Sequence, residues 1–279
     1  MSQHFTRSYT SGHVVAEDGS VDFDCATNVE EWTWLVLPPR HPAAIQTQNF
    51  WTSIGAGIAL GTVEQGKWTA LTWTDWTCGD PGAGHAVRGH YGRTLVDGED
   101  CFETILFDGQ DRQVVRMRGR GVVFRNRNFE EWRSQSKAEA TSKAGEAAAD
   151  RPFTFADRAD LGLLPVEQAL VAPLTSSDAQ SVDALVTPEN GLQPHNPVLG
   201  GSGDHVNSTH IAEAARQALR LISGDPQLEV SGGEMSLNRY VELGTPFRLD
   251  VIAKSDSAIR FSLSQLGKDC SEITLQLES

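Results

Sequence analysis

Apolar positions in the second half of the chain change period once. From Ser208 to Ile222 they fall at Ile211, Ala214, Ala215, Ala218, Leu219 and Ile222, the i, i+3, i+4, i+7 spacing of one helix face. Ser208 or Asn207 caps its start, and Gly224 ends it ahead of Pro226. Upstream, Ser181-Val-Asp-Ala-Leu-Val predicts a short strand, followed by a Pro/Gly/Asn-rich stretch from Pro188 to Gly203. Downstream, Glu234–Val241, Phe247–Ala253, Ala258–Leu266 and Glu272–Leu277 predict strands, with turn residues between them. One helix followed by a meander predicts a helix lying on an antiparallel sheet.

The first half repeats that order. Phe50–Gly61 is apolar and rich in small residues, the length of one buried helix. Strand-like runs follow at Trp68–Trp76, Ala86–Thr94, Cys101–Phe107 and Gln113–Phe124. Glycine costs a helix interior about 1 kcal/mol relative to alanine, so glycines here imply close packing around the helix. Between the halves, residues 133–152 are rich in Ala, Ser, Lys and Glu and nearly free of large apolar side chains. That segment reads as a linker or exposed helix, leaving domains at 1–132 and 153–279.

Composition narrows the class. The 279 residues are 39% hydrophobic and 22% charged, a globular balance. A net charge of −14 argues against nucleic-acid binding by phosphate neutralisation and against docking on an anionic membrane. No run approaches the ~20 apolar residues of a membrane span, and the polar Met1–Arg7 start lacks a secretory apolar core. Cys25, Cys78, Cys101 and Cys270 are scattered, so neither a disulfide framework nor a zinc cluster is expected. A cytoplasmic location is the expectation.

The stretch Gly203-Asp-His-Val-Asn-Ser-Thr-His-Ile-Ala-Glu-Ala-Ala-Arg-Gln-Ala218 resembles the central-helix motif of the hotdog superfamily. In its 3-hydroxyacyl-carrier-protein dehydratases, and in polyketide-synthase dehydratase domains, that helix carries an acid with Gln four residues on. Glu213 and Gln217 match it. The same run is similar to the central helix of A-factor-type butyrolactone synthases. Asn207-Ser208 stands where these families have Pro-Gly, and His195-Asn-Pro197 matches their upstream His-x-Pro only with extra residues between. His41-Pro42 precedes the Phe50–Gly61 helix at the dehydratase spacing, while the acid's position falls at Gly55 or Ala56.

The resemblance implies an α+β double hotdog, with two antiparallel sheets each wrapping a long central helix. It implies one complete site, His41 with Glu213, and an inactive opposite pair, His195 with Gly55. Dehydration or hydration of a 3-hydroxyacyl thioester then uses His41 as base, Glu213 as buried protonated acid and Gln217 to orient it. Asp204, His205, Asn207, His210, His195 and Gly55 would line the substrate path, and helix N–H groups would hold the thioester oxygen. The alternatives are a thioesterase or acyltransferase working through ionised Glu213, or a non-catalytic acyl-binding protein. The implied partners are acyl-CoA or acyl carrier protein, the pantetheine thioester is part of the substrate, and a homodimer is compatible with the family.

No cofactor is expected. Asp204, His205 and His210 lack a fourth strong ligand, and no HExxH spacing occurs, so no metal is expected either. Arg116, Arg118 and Arg120 alternate along a predicted strand and share a face, beside Arg125 and Arg127. On an acidic chain that stripe suits the phosphates of coenzyme A or an acidic carrier, or pairs with local acids such as Glu103. Trp32, Trp34, Trp51, Trp68, Trp73 and Trp76 crowd the first half and suit a core or the wall of an acyl tunnel.

Overall fold

The computed structural model describes residues 8–63, 69–123, 129–148 and 152–278. Met1–Arg7, Trp68, Phe124, Arg125, Arg127 and 149–151 of the 133–152 segment lie outside them. The chain divides into two compact units, Met1–Arg125 and Asn126–Ser279.

In unit 1 the order is β1 (Thr10–Val15), β2 (Val21–Cys25), a 3-10 turn (Thr33–Val36), α1 (Pro42–Ala59), β3 (Thr69–Cys78), β4 (Arg88–Val96), β5 (Glu99–Phe107) and β6 (Gln113–Val123). Its strands lie side by side as β1-β2-β4-β5-β6-β3, each neighbouring pair antiparallel. Two strands therefore join the four expected. In β2, Val21, Phe23 and Cys25 alternate into the core.

Helix α1 starts at Pro42, not at Phe50. His41 is its N-cap and Pro42 occupies the first turn, where a missing N–H costs nothing. The buried side of that early stretch carries Gln46, Gln48, Asn49 and Thr52, so apolar periodicity does not mark it. Gly55 does allow a close approach, but to the protein itself. A Cβ there would collide with the Thr10 hydroxyl on β1, so the residue serves helix–strand packing.

Unit 2 contains α2 (Phe129–Ala148), β7 (Ser181–Ala184), the short α3 (Pro188–Gly191), α4 (Ser208–Ser223), β8 (Val230–Leu237), β9 (Phe247–Lys254), β10 (Ala258–Gln265) and β11 (Lys268–Leu277). Its strands run β8-β11-β10-β9-β7, again all antiparallel. The Ala/Ser/Lys/Glu-rich segment is helical through Ala148, as the last turns of α2. Helix α4 is buried from Thr209 to Arg220, and Gly224 closes it at φ 64°, a left-handed cap that glycine adopts without strain. Among the described residues, no helix is long and apolar enough to cross a membrane.

Candidate active site

Asn207 sets the geometry at the start of α4. Its Oδ1 accepts from the N–H groups of Thr209 (3.0 Å) and His210 (3.2 Å), and its own N–H donates to His210 Nδ1 at 3.2 Å. His210 completes this reciprocal cap by donating from Nε2 to the Gly191 carbonyl at 2.7 Å. Burial pushes the His210 pKa down to about 4, against an opposing pull from the Gly191 bond and with the His205 charge adding to it. Asn207 also donates from Nδ2 to the Gly200 carbonyl. Both residues, expected along the substrate path, are engaged in capping. The same bonds occupy two first-turn N–H groups that the helix N-terminus was expected to offer a thioester oxygen.

One turn further on, Glu213 faces a polar network. Its Oε2 accepts from Arg216 Nε at 2.9 Å, and its Oε1 accepts from Arg216 Nη2 at 2.8 Å and Gln217 Nε2 at 2.7 Å. Arg216 Nη2 also donates to Glu167 Oε1, so one guanidinium bridges two carboxylates. Glu213, Arg216, Gln217 and Glu167 are all at most 3% exposed. Burial works against a charged Arg216, yet Glu213 and Glu167 hold its pKa above the ordinary arginine value.

Gln217 is fixed in one orientation. Its Oε1 accepts from the Leu170 N–H at 2.8 Å, which turns Nε2 toward Glu213 and the Gln168 carbonyl. Glu167 is held in turn by the Leu164 N–H at 2.7 Å. Glu213 therefore lies among polar partners and not among the apolar neighbours expected. Donors meet both carboxylate oxygens, an arrangement suited to an acceptor.

Arg133, on α2, forms a second buried network in unit 2. It donates to Asp204 Oδ2 at 2.9 Å and to both Glu242 oxygens at 2.5 and 2.8 Å, with its guanidinium 4.3 Å from the Tyr240 ring centre. Lys137 and His205 also contact Asp204. Burial alone would raise the Asp204 pKa, but hydrogen bonds from His205 and Lys137 and the Arg133 charge hold it well below the usual carboxylate range. Asp204 and His205 thus tie α2 to the entry of α4. His195 is exposed, and its neighbour Asn196 is the buried member of the His-Asn-Pro run, bonding Val198, Leu199 and Asn190.

In unit 1, His41 is buried as the α1 N-cap, with Nδ1 accepting from the Ala43 N–H at 3.2 Å. A backbone N–H only donates, so Nδ1 carries the lone pair and the neutral ring holds its proton on Nε2. The expected base is thus a donor in this tautomer. Arg116, Arg118 and Arg120 do share one face, and each meets an acid, Glu103, Asp75 and Glu99 respectively. Arg120 also lies 4.5 Å from the Trp73 ring centre. The stripe's charge is matched on its own face.

Sequence reasoning missed Arg216 and Glu167. The Glu213-x-x-Arg216 spacing, i and i+3 on a helix, is a legible pairing signal. Glu167 lies in irregular chain between α2 and β7, where no periodic pattern marks it.

The fold is of the hotdog type. Among similar solved structures is a 12:0-ACP thioesterase from Umbellularia californica, at a TM-score of 0.56 and 10% identity, with 95% of this chain and 99% of that chain covered. An acyl-ACP thioesterase from Bacteroides thetaiotaomicron follows at a TM-score of 0.53 and 10% identity, covering 85% of this chain and 89% of that one. Identities this low speak for the fold and not for the reaction. The sequence matches no family model and none of the curated proteins.

Proposed function

We propose that the protein is an enzyme acting on acyl thioesters, with each unit one hotdog and Glu213 working as an anion. The observation that carries this is the donor set on Glu213, two hydrogen bonds from Arg216 and one from Gln217. In this reading Glu213 takes a proton from water, and the water oxygen attacks the thioester carbon. The C–S bond then breaks and the sulfur leaves as a thiol once protonated. Hydrolysis therefore stands ahead of dehydration with Glu213 as acid, which requires Glu213 to carry a proton against these donors.

His41 supports a separate role as a hydrogen-bond donor through Nε2, toward a departing group that takes its proton from solvent. This inverts the roles expected from the resemblance, and it allows dehydration as the second reading, with Glu213 as base. The acyl carrier is coenzyme A or a carrier protein. Arg116, Arg118 and Arg120 serve its phosphates only by exchanging their acid partners for it.

Saturated, enoyl and 3-hydroxyacyl pantetheine thioesters, incubated with the protein and followed by mass spectrometry, test this directly. Release of free acid from the saturated substrate supports hydrolysis, and water loss with the thioester intact supports dehydration. Glu213→Gln lowers turnover by at least about 100-fold while the protein stays folded. Retained turnover refutes the assignment of Glu213. A double-mutant cycle of His41→Phe and Glu213→Gln tests whether the two residues serve one reaction, and fully additive losses refute that.

A further inference from the structure

Residues 157–170 run as irregular chain between α2 and β7, with both ends tied down by backbone bonds. The Ala156 N–H donates to the Val171 carbonyl at 2.9 Å, and the Leu185 N–H donates to the Leu170 carbonyl at 2.8 Å. Between these ties Leu161 is buried, and a Cβ on Gly162 would collide with the Pro226 carbonyl in the turn after α4. Arg220 of α4 donates to the Leu161 and Gly162 carbonyls at 3.2 and 2.9 Å. Arg158 donates to the Leu164 and Glu167 carbonyls. The Glu167 N–H donates to the Leu164 carbonyl at 3.0 Å, and the Leu164 N–H returns a bond to Glu167 Oε2 at 2.7 Å. The backbone of Glu167 and one of its carboxylate oxygens are thus fixed apart from any contact with α4.

This same stretch holds both of the donors to Glu213 described above. Gln217 is turned by the Leu170 N–H and the Gln168 carbonyl, at 2.8 and 2.9 Å. Arg216 is met by Glu167 Oε1 at the Nη2 that also donates to Glu213 Oε1.

The two anchors do different work. Gln217 fixes Glu213 at Oε1, while Oε2 is met by Arg216 Nε. Glu213 and Arg216 sit three residues apart on one helix, so their mutual bonds do not fix the pair relative to the surrounding chain. An arginine side chain also has much rotamer freedom to lose. Its planar fork meets Glu213 through Nε and Nη2 together only when the guanidinium plane is set. Glu167 reaches that plane from outside the helix.

We propose that Glu167 is a positioning residue for Glu213, holding the Arg216 guanidinium and through it the Glu213 carboxylate in the orientation that takes a proton from water. The proposal rests on the reading of Glu213 as the base. Glu167 acts through Arg216 and needs no contact with the substrate. A displacement of about 1 Å at a reacting group can cost about 100-fold in rate.

Release of decanoate from decanoyl pantetheine and hydrogen exchange at the Arg216 side chain test this on the full chain. Glu167→Ala is expected to lower kcat by about 10- to 100-fold with KM within about three-fold of wild type. In a Glu213→Gln background it is expected to lower kcat by less than about two-fold more, because it acts only through Glu213. Glu167→Gln keeps one acceptor oxygen where two are used, so its kcat should fall between wild type and Glu167→Ala. It is the second variant should Glu167→Ala lack a native circular dichroism spectrum. The Arg216 Nε–H signal, assigned in nitrogen-15 spectra by its loss in Arg216→Lys, gives a readout without turnover. Its exchange is expected to be at least about ten-fold faster in Glu167→Ala, as one net hydrogen bond is lost. The proposal is overturned if the folded variants keep the wild-type kcat, if the losses in the double variant are additive, or if Nε–H exchange is unchanged. Turnover lost in Glu213→Gln alongside any of these results leaves the hydrolytic assignment standing. Turnover retained in Glu213→Gln refutes that assignment, and the exchange rate still decides whether Glu167 holds Arg216.

Discussion

Replacing Arg216 with methionine removes the cation that two buried carboxylates share. Glu213 loses the Arg216 bonds to Oε2 and Oε1 while keeping Gln217, and Glu167 loses the Arg216 bond to Oε1 while keeping the Leu164 N–H on Oε2. Breaking a buried ion pair by removing one partner costs about 3–5 kcal/mol, because the remaining charge is stranded. Two buried carboxylates losing one shared cation put Arg216→Met near the top of that range. Against a typical total of about 5–15 kcal/mol this is a large share of the stability. At roughly 2–4 °C per kcal/mol for a domain of this size, the melting temperature at pH 7 should fall by about 10–20 °C. Differential scanning calorimetry measures this. Arg216→Met combined with Glu213→Gln and Glu167→Gln removes the stranded charges and should recover at least half of the loss. A fall below about 3 °C, or no recovery in the triple variant, refutes the shared-cation account.

Three further outcomes follow from the geometry. The His210 pKa of about 4 lies below the usual ~6.5, so the unfolded chain binds more protons between these values. Stability should therefore be fully present above about pH 6.5 and fall by roughly 3 kcal/mol as the pH drops to 4; urea midpoints across that window in the wild type and His210→Gln should diverge, and parallel curves would count against it. Gly55→Ala pushes a methyl into the Thr10 hydroxyl and should cost about 1–3 kcal/mol, part of it returned by Thr10→Ala, as read from thermal melts. Arg133→Met takes its cation from Glu242 and leaves Asp204 with Lys137 and His205, and it should destabilise the protein by about 3–5 kcal/mol in chemical denaturation; a loss under 1 kcal/mol would contradict its burial.

The parts of the fold legible in the sequence are those where one physical signal acts alone. Helix α4 combines an apolar face with an Asn cap and a Gly stop, and it runs from Ser208 to Ser223, as its periodicity predicts. The β9 and β10 strands fall close to their predicted ranges because turn residues bracket them. Helix α1 is hidden in its first half because Gln46, Gln48, Asn49 and Thr52 lie on its buried side. The strand β2 has clear alternation, yet five residues with two aspartates facing out make a weak signal. Within the candidate site, the sequence motif identifies Glu213 and Gln217 as neighbours through their i, i+4 spacing. It is silent on Glu167, whose place depends on irregular chain folding back onto α4.

The two units solve the problem of a buried helix in opposite ways, and the contrast bears on function. In unit 2 the polar groups of α4 bond one another and the chain nearby. Glu213, Arg216 and Gln217 pair with one another and with the chain around Leu164 to Leu170, and Arg220 bonds the carbonyls of Leu161, Gly162 and Leu228. Such a network is rigid, and it holds a carboxylate in a fixed orientation. In unit 1 the polar groups of α1 are paired only in part: Gln48 Nε2 donates to the Tyr9 hydroxyl and Asn49 Nδ2 to Thr74, while Gln48 Oε1, Asn49 Oδ1 and the Gln46 amide have no protein partner. A change in α4 therefore disturbs several paired groups at once, while a change at the Gln46 amide breaks no bond within the protein, so the α4 variants should cost more stability.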